Sequence, residues 1–236
     1  MKRALTLLVL LLSLGVSLRG QEPYFPPQAL PDLIQSLPAP PEKGSPAFRL
    51  DLRRYRWGKR QRKDSVRVAQ VCADAVWTYE ALVDQLDPAF GLDVSRESTP
   101  RIWTLLERSL TTIDPIRVAS KAYFHRIRPF EYFHEHTLTG EDDILRGEGS
   151  YPSGHTMRSW LVAMIFASVH PATAEAVYAR AWTYGENRVI AGAHWQSDVD
   201  VSRVAAAIGY ARLVTSPEFL HDLALAQEEF ARVAAQ

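Results

Sequence analysis

Apolar residues recur at the spacing of an α-helix along most of this chain, with no sustained strand-like alternation. Between Asp64 and Leu86 the apolar stripe repeats every three or four residues and includes Cys72, which we expect to be buried. Hydrophobic residues make up 47% of the 236 residues, enough for one packed core. The pattern predicts an all-α fold, a helical bundle in a single domain.

Capping residues and prolines divide the chain into predicted helices. One helix begins after Ser98 and another after Asp114, and the second must end near Arg128 because Pro129 follows. The acidic, glycine-containing stretch 130–150 indicates a loop. The remaining predicted helices span residues 153–169, 173–192, 195–214 and 217–234.

The N-terminus has the pattern of a secretory signal. Lys2 and Arg3 precede an apolar stretch from Ala4 to Val16, which is short for a membrane span. We expect residues 1–20 to be a signal peptide, with an uncleaved anchor as the alternative. The folded part then lies in the periplasm or outside the cell, without a stable membrane span after signal removal.

The segment after the signal is rich in proline. Residues 21–47 are expected to form an N-terminal arm, either laid on the domain or flexible, and the folded domain then spans 48–236. Residues 53–63 carry a basic run with interleaved aromatics, which can mark a nucleic-acid surface. Because the net charge is zero, we favour a solvated helix face and expect no nucleic-acid partner.

Two groups of residues have the composition of an anion site. Lys121 and Arg128 are seven residues apart, so on one predicted helix their side chains share a face. The next group is Ser153, Gly154 and His155, which opens a predicted helix. The free N–H groups of a helix N-terminus bind anions, and His155 would lie beside such an anion. Solvated cations and a simply capped helix are the alternatives.

A third group lies near the C-terminus. His194 and Asp198 are four residues apart and therefore neighbours on one helix face. An aspartate that accepts from one imidazole nitrogen leaves the other nitrogen bare for attack. Arg188 precedes His194, and Gly192 allows a bend that would let the two converge. The alternative is a local ion pair of small energetic consequence.

In this order the three groups resemble the signature of the PAP2 phosphatase superfamily. That signature is Lys-x6-Arg-Pro, then Pro-Ser-Gly-His, then Ser-Arg-x5-His-x3-Asp. The tracts 149–156 and 194–200 are similar to those of bacterial class A non-specific acid phosphatases, and the resemblance extends from about residue 35 to the final helix. It implies an all-α bundle of the PAP2 and vanadium-chloroperoxidase type.

The resemblance also implies a function: an acid phosphatase that needs neither metal nor cofactor. Its substrates would be phosphate monoesters, with nucleotides among the candidates, and it would transfer phosphate to alcohols and form a homo-oligomer. The implied catalytic residues are His194 as the nucleophile, His155 as the general acid, and Asp198 as the residue that orients His194. The implied phosphate-binding groups are Lys121, Arg128, Arg188, the Ser153 hydroxyl, and the amides of Ser153 and Gly154.

The chain departs from the family pattern at two points. Asn187 stands where the pattern has Ser, and we expect an altered contact around Arg188 with activity retained. Cys72 is the single cysteine, so the family's disulfide is lacking.

The sequence is also compatible with three other functions and one other kind of site. A vanadium haloperoxidase shares such an anion pocket, and a lipid phosphate phosphatase is disfavoured by the lack of membrane spans. A non-catalytic anion-binding envelope protein is the third alternative. His134 and His136, among acidic residues of the predicted loop, could instead form a metal site.

Overall fold

The computed structural model describes residues 22–235, so the predicted signal peptide lies outside the described residues. Between residues 22 and 235 the secondary structure consists of helices and contains no strand. None of the helices within this range is long and apolar enough to cross a membrane. The all-α prediction is confirmed.

The described residues form thirteen α-helices and two short 3₁₀ segments, Pro27–Ala29 and Pro171–Thr173. The helices are α1 (Leu33–Ser36), α2 (Pro46–Gln61), α3 (Ser65–Ala73), α4 (Tyr79–Asp84), α5 (Asp87–Phe90), α6 (Pro100–Ile113), α7 (Ile116–Phe124), α8 (Pro129–Tyr132), α9 (Asp142–Leu145), α10 (Gly154–Val169), α11 (Ala174–Ala191), α12 (Gln196–Leu213) and α13 (Pro217–Val233).

Helix α10 is the centre of the bundle. It is apolar all round, and α6, α11, α12 and α13 pack against it. Its N-terminus is capped by Ser153, whose Oγ accepts a hydrogen bond from the Thr156 N–H at 3.4 Å. The long helices α10 to α13 agree with the predicted ranges to within two residues. The N-terminal ends of α10 and α12 meet at one end of the bundle, where the Ser153 N–H lies 3.4 Å from the carbonyl oxygen of Asp198.

Apolar residues of the segment 22–47 pack against the bundle, and the segment contains α1 and the first two residues of α2. Tyr24 and Leu33 are buried in the main core. The Tyr24 N–H donates to Thr112 Oγ1 at 2.9 Å, and its hydroxyl donates to Asp222 Oδ2 at 2.7 Å.

The prediction that one helix contains both Lys121 and Arg128 is wrong. Helix α7 ends at Phe124 because His125 adopts a left-handed conformation, with φ of 40°. Arg128 instead precedes α8 in extended backbone, and Pro129 begins that helix. The region 130–150 also contains α8 and α9, where only a loop was expected.

The helical stripe predicted over 64–86 is divided between two helices, α3 and α4. Because α3 ends at Ala73, Val71 is the residue that it buries, and Cys72 is exposed, contrary to expectation. The break leaves Asp74 fully buried. It also brings the turn containing Trp77 to the N-terminal end of α10.

Candidate active site

The three sequence groups meet at a cavity of about 340 Å³ beside the N-terminus of α10. Its walls include Lys121, Arg128, His155 and His194. Arg188 is fully buried next to it and acts electrostatically on both histidines. Side chains more than 70 residues apart in sequence thus form one cationic site.

His194 lies just beyond α11, where Gly192 adopts a left-handed conformation with φ of 82° and turns the chain. Arg128 Nη1 is 3.2 Å from His194 Nε2. Because a guanidinium only donates, Nε2 must accept and therefore keeps its lone pair. The hydrogen is then on Nδ1, which lies 3.5 Å from Asp198 Oδ2. Burial, followed by Arg128 and Lys121, holds the pKa of His194 well below its usual range.

Asp198 is fixed by a buried ion-pair network that the sequence did not reveal. Its Oδ2 accepts from the Trp195 N–H at 2.8 Å, and its Oδ1 accepts from Arg126 Nη1. Arg126 Nη2 donates to Asp51 Oδ2 at 2.7 Å, and Ser197 contacts Asp51 through both its N–H and its hydroxyl. Burial raises the pKa of Asp198, and the charge of Arg126 opposes that rise.

One sequence signal could have pointed to this network. Asp51 is the single acidic residue of α2, and it lies on the apolar face beside Phe48 and Tyr55. A carboxylate on a buried face needs a buried cation as its partner. That partner is Arg126, only two residues before Arg128.

His155 is in the first turn of α10, and its Nε2 lies 3.1 Å from the carbonyl oxygen of Ala75. Because a carbonyl only accepts, Nε2 carries a hydrogen and Nδ1 is the nitrogen left to exchange a proton. The imidazole also packs on Trp77, with ring centroids 4.5 Å apart. Burial, followed by the charge of Arg188, holds the pKa of His155 well below its usual range.

Arg188 has donors that the surrounding residues leave open. Its Nη2 donates to both carboxylate oxygens of Glu141, each at 2.9 Å. Its Nε and Nη1 are buried and have no hydrogen-bond partner within residues 22–235. Unpaired buried donors of a permanent cation are costly unless an anion binds them. The geometry is therefore that of an anion site.

Asn187, the departure from the family pattern, precedes Arg188 near the C-terminal end of α11. Its Nδ2 donates to Asp74 Oδ2 at 2.7 Å. Asp74 is fully buried and also accepts from both terminal nitrogens of Arg180. The Asn187 amide thus contacts a buried carboxylate, and the retained activity expected with Asn187 stays a prediction.

Lys121 and Arg128 are held together by the chain before α10. Lys121 Nζ donates to the carbonyl oxygen of Gly149 at 2.7 Å, and Arg128 Nε donates to that of Glu148 at 2.9 Å. A Cβ at position 149 would overlap the Lys121 carbonyl, so this approach requires Gly149. Burial and the charge of Arg128 lower the pKa of Lys121 to about 7.

The Ser153 amide, which the family resemblance offers for phosphate binding, already has a hydrogen-bond partner in the fold. Its N–H donates to Ser202 Oγ at 2.7 Å and is therefore engaged within the fold. The Ser153 Oγ accepts from Thr156 Oγ1 at 3.0 Å, which leaves its own hydrogen available to donate. The Gly154 N–H is at the first helical position, where the α-helix supplies no acceptor.

The acidic segment before α10 does not assemble a metal site. His136 is exposed and pairs through Nδ1 with Asp142 Oδ2. Across residues 22–235, no three acidic, histidine or cysteine side chains come together as metal ligands.

Comparison with known proteins identifies the family. The sequence profile of the PAP2 superfamily matches residues 105–222. The non-specific acid phosphatase of Salmonella typhi is 38% identical over 224 residues, which cover 94% of this chain and 89% of that protein. The non-specific acid phosphatase of Providencia stuartii is 35% identical, with coverages of 86% and 82%. The acid phosphatase of Zymomonas mobilis is 32% identical, with coverages of 84% and 75%. This chain belongs to the PAP2 superfamily.

Proposed function

We propose that this protein is an acid phosphatase that hydrolyses phosphate monoesters through a phosphohistidine on His194. The names of its relatives and its family membership support the phosphatase activity. One observation supports the nucleophile: His194 lines the cavity and keeps the lone pair of Nε2, which lies 3.2 Å from Arg128 Nη1, while the charges of Lys121 and Arg188 also act on the ring.

In the first step, His194 Nε2 attacks phosphorus and the bond to the ester oxygen breaks. His155 gives its Nδ1 proton to the departing alkoxide, so an alcohol leaves and a phosphohistidine forms. Burial favours neutral imidazoles, which suits the nucleophile. The bound phosphate dianion would restore the proton of His155, because a neighbouring negative charge raises the pKa of an imidazole.

In the second step, His155 takes a proton from water as the water oxygen attacks phosphorus. The P–N bond breaks, and inorganic phosphate and free His194 result. Asp198 would accept a hydrogen bond from His194 Nδ1–H, without taking the proton, and stabilise the positive charge that the imidazole gains on attack. The 3.5 Å separation of these groups is expected to shorten when substrate binds.

Transition-state charge falls on the three equatorial phosphate oxygens. Positive charge is supplied there by two arginines that stay protonated, Arg128 and Arg188, and by Lys121, which can titrate. Neutral hydrogen-bond donors are the Ser153 hydroxyl and the Gly154 N–H. Uncatalysed hydrolysis of monoesters is so slow that accelerations of up to ~10²¹-fold are known, which demands such a preorganised set of donors.

We assign residues 1–20 to a signal peptide, 21–47 to an arm and 48–236 to the phosphatase domain, which acts in the periplasm or outside the cell. A phosphohistidine can also be captured by an alcohol, which would give phosphotransferase activity. Nucleotides are candidate substrates, and a homo-oligomer is the expected assembly.

The test uses p-nitrophenyl phosphate in the presence of EDTA. The variant His194→Ala should lose activity by about 10⁴-fold or more, because removing a nucleophile leaves only binding and electrostatic terms. The matched control is His221→Ala, an exposed histidine of α13, which should keep the wild-type rate. A reaction with phosphorus-labelled substrate, quenched in alkaline denaturant, should leave a base-stable, acid-labile label on the wild type and none on His194→Ala. Equal activity in the two variants, or loss of the wild-type rate with EDTA, would contradict the mechanism.

A further inference from the structure

We propose that Trp77 forms a subsite for aromatic leaving groups, which makes this phosphatase prefer esters of ring-bearing alcohols. The proposal rests on the proposed function, since it concerns the part of the substrate that departs towards His155. Trp77 lines the cavity that His155 and His194 share, and 42% of its surface is exposed.

The position of Trp77 follows from the direction of the reaction. The leaving oxygen is opposite the attacking nitrogen of His194 in an in-line displacement, so it lies next to the acid, His155. The rings of His155 and Trp77 are in contact, with centroids 4.5 Å apart. A ring attached to the ester oxygen would therefore extend along the indole.

The indole is held in place as a rigid wall. The guanidinium carbon of Arg158 is 3.3 Å from the ring centroid of Trp77, and that of Arg117 is 5.0 Å away. Both arginines make two hydrogen bonds to Asp114, at 2.8 to 3.0 Å. Gly154 permits the close approach, because a Cβ there would lie 3.0 Å from Trp77 Cη2. A preorganised aromatic surface binds a ring at a low entropic cost.

The rest of the cavity leaves room for such a group. The cationic side is occupied by Lys121 and Arg128, while Ile144 and Leu145 contribute apolar surface to the lining. Ile144 is 82% exposed, so its side chain is free to cover a bound ring. About 340 Å³ exceeds the space that a phosphate group alone requires and falls within the range of small-molecule sites.

The experiment compares benzyl phosphate with cyclohexylmethyl phosphate. Both are esters of primary alcohols with six-membered rings, so they make similar demands on the acid and differ chiefly in aromaticity. Wild type should show the higher kcat/KM for the benzyl ester. In Trp77→Ala and Trp77→Leu, the ratio of the two kcat/KM values should fall by about fivefold, since aromatic pairs contribute beyond the area they bury. Trp77→Phe should keep most of the ratio.

Trp182 provides a matched control. It is 47% exposed and carries Arg203 over its ring at 3.6 Å, but it lies on α11 and does not line the cavity. Trp182→Ala should leave the ratio unchanged. Inhibition by inorganic phosphate, which has no leaving group, should be the same in every variant that folds.

The outcomes separate the two proposals. A wild type without activity on either ester would overturn the proposed function. An active wild type with equal loss for both esters in Trp77→Leu would overturn the subsite, because Trp77 would then only support His155. A wild-type preference for the cyclohexyl ester would overturn it as well.

Discussion

The two walls of the cavity are built in different ways. The helix wall, residues 153–158 and 187–198, places its charges on long helices and surrounds them with buried partners. The loop wall, residues 134–149, carries Glu141 and Glu148, which approach Arg188 and Arg128 from the solvent side. The two imidazoles thus come from the helix wall, whereas the loop wall supplies carboxylates next to Arg188 and Arg128.

This difference has an energetic basis. Arg126 is buried between Asp51 and Asp198, and removing one member of a buried ion-pair network leaves a charge uncompensated. The Glu148 side chain is 50% exposed, and ion pairs of that kind contribute little to stability. Changes in the helix wall should therefore affect both stability and rate, and changes in the loop wall mainly binding.

Among changes that test the two walls, the largest effect is expected for Arg126→Met, because Arg126 lies outside the helix wall but holds Asp198 in place within it. Two buried carboxylates lose their cation, so stability should fall by about 3 kcal/mol and kcat by about 10²-fold as Asp198 loses its position. Urea unfolding and kcat on p-nitrophenyl phosphate are the measurements. Arg96→Met is the control, because Arg96 also contacts two carboxylates, Glu80 and Glu107, but is half exposed. A normal kcat in a destabilised Arg126→Met would limit this arginine to a role in folding.

The next largest effect is expected on the pH dependence of KM. It depends on Lys121, which lines the cavity and belongs to neither wall. Its pKa of about 7 means that it is charged below this pH and neutral above it. The KM of the wild type should therefore rise, by about tenfold between pH 6 and 9, as one charged donor is lost. Lys121→Arg stays charged and should flatten this rise, whatever its absolute KM. Lys63→Arg, at an exposed position, should behave as wild type. An identical rise in Lys121→Arg would show that another group titrates.

A smaller effect is expected for Glu141→Gln in the loop wall. The glutamine removes the negative charge that occupies Arg188, so inorganic phosphate should inhibit about fivefold more strongly. Asp143→Asn, an exposed acid of the same segment, should leave the inhibition constant unchanged. Weaker inhibition in Glu141→Gln would mean that Glu141 positions Arg188 for the anion and does not compete with it.

The smallest effect is expected for Asn187→Ser, which introduces the family residue. A shorter donor loses the 2.7 Å bond to Asp74, while Arg180 still pairs with that carboxylate. Stability should fall by about 1 kcal/mol and kcat should stay within about threefold of wild type. Thermal unfolding and kcat measure the two quantities. A loss of kcat comparable to that of Arg126→Met would make Asn187 essential to the helix wall.

Local patterns in the sequence predicted the long C-terminal helices well. Periodicity and capping residues located α10 to α13, and in the structure Ser153 and Ser216 cap α10 and α13. The same reasoning failed where the chain turns without proline, at His125 and after Ala73. A left-handed residue that is not glycine, and a helix that ends in a buried aspartate, leave no local signal.

What the sequence by itself determined was the all-α class, the long helices and the set of charged groups available for chemistry, because these depend on short-range spacing and residue type. The tertiary structure alone decided how those groups are paired. Asp51 and Arg126 are 75 residues apart, and the hydrogen-bond partners of His155 and His194 belong to other segments. Burial makes such pairings strong and selects the imidazole tautomers, and burial is a property of packing that no local window of sequence contains.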